Sequence, residues 1–212
     1  MSERGSGLRE RKKQLARQQI SDVATGLFLE RGFDEVTIAE VAESAGVAKM
    51  TVTNYFPRKE DLVFDQHVEL ASHAAQAIAG RASGESALAA LHRAYFEALR
   101  RQDASVGLAS EGFVKMITGS PALLARLREI DEQREVAIAD TLAAETGTET
   151  GEDITLAVAA AQLAAVHRVL FRQAFRMTLE GKTRAETTDE LADLARQAFD
   201  QLEPSLGGYA IR

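Results

Sequence analysis

The chain has 212 residues with no Cys, 3 Pro and 15 Gly; 45% of its side chains are apolar and its formal charge is −7. The length holds one large or two small domains. The lack of Cys excludes disulfides, thiolate nucleophiles and Cys-bound zinc, and scarce Pro without sustained apolar/polar alternation predicts an all-α fold. Charge is uneven, with 10 Lys/Arg against 9 Asp/Glu in residues 1–60 and 15 against 23 in residues 61–212. The acidity therefore belongs to the C-terminal part, and a nucleic-acid partner for the N-terminal part is compatible with it.

Residues 1–8 read as a flexible basic arm. Arg4, Arg9, Arg11, Lys12, Lys13 and Arg17 crowd the first turns. Arg11, Lys12 and Lys13 are candidates for phosphate or minor-groove contacts; a solvated tail accounts for them equally well. A first helix is predicted from about Leu8 to Arg31, with Ile20, Val23, Ala24, Leu27 and Phe28 inward and Gly32 as its C-terminal stop.

Thr37-Ile38-Ala39-Glu40 fits a capping box opening a second helix. Ala45-Gly46-Val47 supplies a tight turn, with Gly46 suited to positive φ. A third helix runs from about Ala48 to Phe56, with Val52 and Phe56 inward, and Pro57 breaks it. Lys49, Met50, Thr51, Thr53, Asn54 and Tyr55 are left for its other faces. Two short helices about a Gly turn make a helix-turn-helix over residues 37–56, whose second helix suits the DNA major groove. The predicted DNA-binding domain is 9–57.

A connecting helix is expected over 58–80. An amphipathic helix follows over Ser86–Arg101, and a shorter one near Ala104–Thr118 is interrupted by Gly107 and Gly112. Long helices are predicted from Pro121 to about Glu145 and from Ile154 to Leu179, and a last one from Arg184 to Leu202. The C-terminal helical domain is then 81–204, to which the resemblance given below assigns effector binding and dimerisation, and 205–212 is a loose tail. No apolar run approaches the roughly 18 residues of a membrane helix, and the polar N-terminus lacks the apolar stretch of a secretory signal. A cytoplasmic protein with no membrane partner is expected.

The run RGF, T-I-x-x-V-A, A-G-V, T-V-T-N-Y-F and K-E-D-L, from Arg31 to Leu62, resembles the TetR family of bacterial transcriptional regulators. The resemblance covers about 50 residues; beyond them only helix number and order match. It implies an all-α homodimer of about nine helices per chain. Three N-terminal helices bind a palindromic operator in double-stranded DNA, a helical domain holds a small-molecule pocket, and the last two long helices pair with their mates. It implies a repressor released by its effector, with no cofactor.

By position, the resemblance puts Lys49, Met50, Thr51, Thr53 and Tyr55 at the DNA and makes Thr37 and Lys59 phosphate contacts. Three residues depart from its pattern. Ala48 stands where a capping Ser is common, Thr53 where an aromatic is usual, and Arg58 where a capping Ser or Asn is frequent.

Pocket candidates are His67, His92 and Tyr95, which share stripes with apolar residues, together with Phe96, Phe113, Met116 and Ile117. Core packing explains each singly. His73 and His167 are weaker candidates. Ile154, Val158, Ala161 and Ala165 on one helix and Leu191, Leu194, Ala198 and Phe199 on the next are dimer-interface candidates. Arg168, Arg172 and Arg176 form a row that acids Asp189, Glu190 and Asp193 are placed to meet, unless both faces are simply solvated. No His/Asp/Glu set has metal-ligand spacing, and no nucleophile elbow or phosphate-cradling loop appears. A ligand-independent regulator or activator is the alternative, and a helical enzyme retaining the motif as scaffold is remote.

Overall fold

A computed structural model of the chain describes residues 3–65, 67–147 and 153–212, with side chains described from Arg11 on except at 67–70 and 146. Nine α-helices and two 3₁₀ turns occur among these residues, and no strand. The helices are α1 (Glu3–Arg31), α2 (Ile38–Ser44), α3 (Lys49–Tyr55), α4 (His67–Ala79), α5 (Ala87–Arg100), α6 (Glu111–Gly119), α7 (Pro121–Thr146), α8 (Ile154–Leu179) and α9 (Arg184–Leu206). The 3₁₀ turns are Lys59–Leu62 and Ala104–Val106.

The chain divides into two compact units. The first is Met1–His67 with Met116–Arg126; the second is Val68–Lys115 with Leu127–Arg212. The expected boundaries after residues 57 and 80 are thus replaced by one at His67, and a segment from α6 and α7 joins the first unit. Its core includes Ile20, Ala24, Phe28, Val41, Val52, Phe56 and Leu62, each at most 1% exposed. In the second unit Ile78, Leu88, Ile138, Leu142, Leu156, Leu170 and Leu191 are buried in one cluster of residues from α4, α5, α7, α8 and α9.

Several boundaries differ from expectation for local reasons. α1 begins at Glu3, so residues 3–8 extend a helix instead of forming a loose arm. Once nucleated, a helix propagates at small cost per residue, even through Gly5 and Gly7. The 58–80 helix is two pieces, because Asp61, Leu62, Val63 and Phe64 are all buried. Four successive residues on an α-helix point to all sides, so one straight helix cannot bury them against one core. Near Ala104–Thr118, Gly107 closes the second 3₁₀ turn with φ +90°, whereas Gly112 lies inside α6. Residues 148–152 of the expected polar loop lie outside the described residues.

The C-terminal tail is pinned. Arg212 donates through its guanidinium to Ala79 O at 2.7 Å, and its carbonyl accepts from Gly84 N at 2.9 Å. The buried Arg81 guanidinium donates to Ala210 O at 3.2 Å and to Glu145 at 2.7 Å. The pull of Glu145 raises the Arg81 pKa further and lowers that of Glu145. α8 is long and apolar enough to cross a membrane by composition, with a mean hydropathy of 1.7 over its best window, contrary to the sequence expectation. Leu156, Ala160, Leu163 and Leu170 on it lie in the core of the second unit.

Candidate DNA interface and ligand cavity

α2 is held by the predicted capping box. Thr37 Oγ1 accepts from Glu40 N at 3.3 Å, and the Glu40 carboxylate accepts from Thr37 N and from its hydroxyl, each at 2.8 Å. Arg31 adds an ion pair to Glu40 at 2.6 Å. The Thr37 backbone bond, the Arg31 contact and the Thr37 hydroxyl together hold the Glu40 carboxyl at about 2. Gly46, at φ +68°, turns the chain into α3.

α3 buries Val52 and Phe56 completely. This leaves Lys49, Met50 and Asn54 exposed and Thr51, Thr53 and Tyr55 half-buried. Met50 is 70% exposed, an unusual position for a long apolar side chain. The Thr53 hydroxyl donates to Met50 O at 3.1 Å, so it is engaged by its own helix and its methyl is the group left to face outward. Ala48 offers no side-chain cap to the start of α3. At position 58, Arg58 N donates to Asp61 Oδ2 at 3.2 Å, so the following turn is capped from within.

Two cations have roles that sequence spacing did not reveal. Arg17 lies 4.8 Å over the Phe56 ring and donates to Tyr55 O at 3.4 Å, fastening the end of α3. Lys59 sits 4.3 Å from the Phe33 ring and donates to Asp34 O at 3.4 Å. Arg11, Lys12 and Lys13 are exposed on α1.

The second unit holds a cavity of about 360 Å³. Leu91, Leu163, Val166 and Phe199 supply apolar wall, and Gln76, Arg93, Tyr95, Glu97, Arg101, Arg134 and His167 supply polar or charged groups. Of the predicted pocket residues only Tyr95 lines it. His92 is exposed and packs its ring 4.7 Å from Phe96 and 5.0 Å from Phe199. Phe96, Phe113 and Met116 are half-buried elsewhere, and Ile117 is fully buried as core. The His67 side chain lies outside the described residues. His73 and His167, the weaker candidates, both line the cavity.

His167 Nε2 lies 2.8 Å from Ser105 O. A carbonyl oxygen only accepts, so Nε2 carries the proton and Nδ1 presents a lone pair. Burial, reinforced by the Arg134 charge, pushes the His167 pKa down to about 3, so the ring is neutral. Burial also raises the Tyr95 phenol pKa, so it remains a protonated donor. Arg134 donates to Asp131 at 2.7 Å. Gly107 sets the Ser105 carbonyl in place: a Cβ there would meet Ala174 Cβ and Phe171 O on α8, each at 2.9 Å.

The predicted dimer stripes divide. Ile154 and Val158 are 76% and 48% exposed, and Ala161 and Ala165 are half-buried. Leu191 and Phe199 are 0% and 5% exposed within one chain, in its own core, and are withdrawn as interface residues. Leu194 and Ala198 are half-buried against that core. Among the described residues the arginine row forms no ion pair with the predicted acids. Arg176 pairs with Glu180 at 2.7 Å and Asp193 with Arg196, each one turn away on its own helix, while Glu190 pairs with Lys182 in the loop before α9.

A capped α2, a glycine turn and an α3 with an exposed polar face define a helix-turn-helix DNA-binding protein. The family profile "Bacterial regulatory proteins, tetR family" matches residues 20–65. The HTH-type transcriptional regulator TcmR of Streptomyces glaucescens is 28% identical over 208 residues, covering 95% of this chain and 89% of that protein. The HTH-type transcriptional regulator LuxR of Vibrio harveyi is 45% identical over 47 residues, 22% of this chain and 23% of its own. The Salmonella enterica GusR structure has the same fold, with a TM-score of 0.54, 18% identity and coverage of 91% of this chain and 95% of its own. Residues 20–65 thus carry the DNA-binding region of the TetR family, and over nearly its whole length the chain is similar to a helix-turn-helix transcriptional regulator.

Proposed function

We propose that the protein acts in the cytoplasm as a homodimeric repressor, released from a palindromic operator when a small molecule fills the cavity of its second unit. The cavity carries this reading. A closely packed helical unit has little reason to leave about 360 Å³ unfilled beside buried polar groups. The exposed Ile154 and Val158, with half-buried Ala161 and Ala165, offer a row of small and apolar side chains that favours helix pairing between two copies. On this reading Lys49, Met50, Thr51, Thr53, Asn54 and Tyr55 meet the major groove. Thr37, Lys59, Arg11, Lys12 and Lys13 meet phosphates, and two-fold symmetry sets the half-sites about 34 Å apart.

The test combines light scattering with operator binding. A dimer mass, salt-sensitive affinity for a palindrome near the protein's own gene, and loss of that affinity with a cavity ligand are expected. Operator binding that no cavity ligand weakens would assign the protein to ligand-independent regulators.

A further inference from the structure

Buried polar atoms are normally paired, because an unpaired one forfeits the water it left. Among the described residues, four buried side-chain atoms have no hydrogen-bond partner: Tyr95 OH, Arg134 Nε, His167 Nδ1 and Thr187 Oγ1. The first three belong to residues that line the same cavity. Tyr95 and Arg134 are 6% and 5% exposed.

These atoms are chemically complementary to one kind of guest. Arg134 Nε is only a donor, the Tyr95 hydroxyl is available as a donor, and His167 Nδ1 is an acceptor because Ser105 O holds the ring proton at Nε2. The guest must therefore bring at least one acceptor oxygen and one donor. Leu91, Leu163, Val166 and Phe199 give the rest of it apolar wall, beside the charged Arg93 and Glu97, and the neighbouring Tyr95 and Phe199 rings put aromatic surface in that wall.

We propose that the cavity takes an aromatic hydroxycarbonyl compound, its carbonyl or carboxylate oxygen accepting from Arg134 and Tyr95 and its hydroxyl donating to His167. This rests on the cavity being the effector site, and it names the class of effector. A hydrophobic cation could face Glu97 in the wall, but it would leave Arg134 and Tyr95 without an acceptor. A plain hydrocarbon would leave three buried polar atoms unpaired.

The full-length protein is titrated with positional isomers of hydroxy-2-naphthoate, their O-methyl ethers, naphthalene and benzyltriethylammonium. Thermal shift and calorimetry read binding; operator release is read separately by fluorescence anisotropy. At least one hydroxynaphthoate isomer is expected to bind, with its ether, naphthalene and the cation about 10-fold weaker or worse. Tyr95→Phe and Arg134→Lys, the latter keeping a cation for Asp131, should each weaken the best isomer by about 10-fold. Tyr95→Phe alone should melt no lower than the native protein, since its hydroxyl has no partner to lose.

If no isomer binds, if the ethers bind as well, or if both variants bind the probe unchanged, the proposed class is overturned. If naphthalene or the cation releases the operator while the hydroxynaphthoates do not bind, the class falls and the effector reading stands. If a hydroxynaphthoate binds with the expected variant losses but leaves the operator bound, the class stands and release by effector falls.

Discussion

The Asp61 carboxylate accepts from the Arg126 guanidinium at 2.9 Å, and both side chains are almost fully buried although 65 positions separate them in sequence. Asp61 also receives Arg58 N, so one carboxylate both caps the turn after α3 and ties residues of the first unit together. A buried charge deprived of its partner is far costlier than the pair is stabilising. Arg126→Leu should lower unfolding free energy by about 3–5 kcal/mol. The double change Asp61→Leu, Arg126→Leu should recover much of that loss. Urea denaturation of the three proteins checks this; equal losses in the single and double variants would refute it.

Gly107→Ala should destabilise by about 2–4 kcal/mol, through a positive φ and the contact with α8. Gly26→Ala is the matched control. Gly26 sits within α1 with nothing within 4 Å of a new Cβ, so this change should stabilise by about 0.5–1 kcal/mol. Opposite shifts in melting temperature are the expected result.

Ala48→Ser should add the missing cap at the start of α3 and stabilise the protein by about 1 kcal/mol. Amide exchange of Met50 and Thr51 should slow in parallel. Unchanged exchange would mean the hydroxyl does not reach the helix amides.

Lys49→Ala should weaken operator binding about 10-fold. If Lys49 meets a phosphate, the slope of log affinity against log salt also falls by about 0.9. If it meets a base edge, the slope holds and discrimination among operator variants relaxes. Tyr55→Ala should weaken binding while dimer mass is unchanged. Binding unaffected by either change removes both residues from the interface.

The His167 pKa is about 3 in the folded protein against an ordinary 6.5. Between these values the unfolded chain binds a proton that the folded ring refuses. The stability is complete above pH 6.5 and is lost as pH falls toward 3, by up to about 5 kcal/mol. Glu40, held at about 2, acts in the same direction below its ordinary 4.5. His167→Gln should flatten the part between pH 6.5 and 4.5, measured by denaturant midpoints across pH; a profile as steep as the native one would contradict the assignment.

Local chemistry made the DNA-binding elements legible. The Thr37–Glu40 capping box, the Gly46 turn and the Val52/Phe56 pair each depend on residues within one or two turns, and all appear as the spacing predicts. Arg17 and Lys59 were not legible in their structural roles, because their partners Phe56 and Phe33 lie 39 and 26 positions away. The cavity was harder still. His92 and Phe96 lie near Tyr95 on one helix, yet a rotation of about 60–100° decides which side chain meets a void and which caps a neighbouring ring. α8 and α9 carry apolar residues on more than one face, so periodicity could not tell Leu191 and Phe199, which fill their own core, from residues awaiting a second copy. The tail failed for another reason: Arg81, Ala79 and Gly84, which hold it, are distant in sequence and look like an ordinary helix end.

The bond from His167 to Ser105, backed by Gly107 against α8, has a bearing on physiology. A histidine in a ligand cavity ordinarily makes recognition drift with acidity, since an unperturbed imidazole changes charge near neutrality. Here the ring keeps one tautomer and no charge through any swing a living cell tolerates. A signal read at His167 would therefore report the concentration of the guest alone, undisturbed by acid stress.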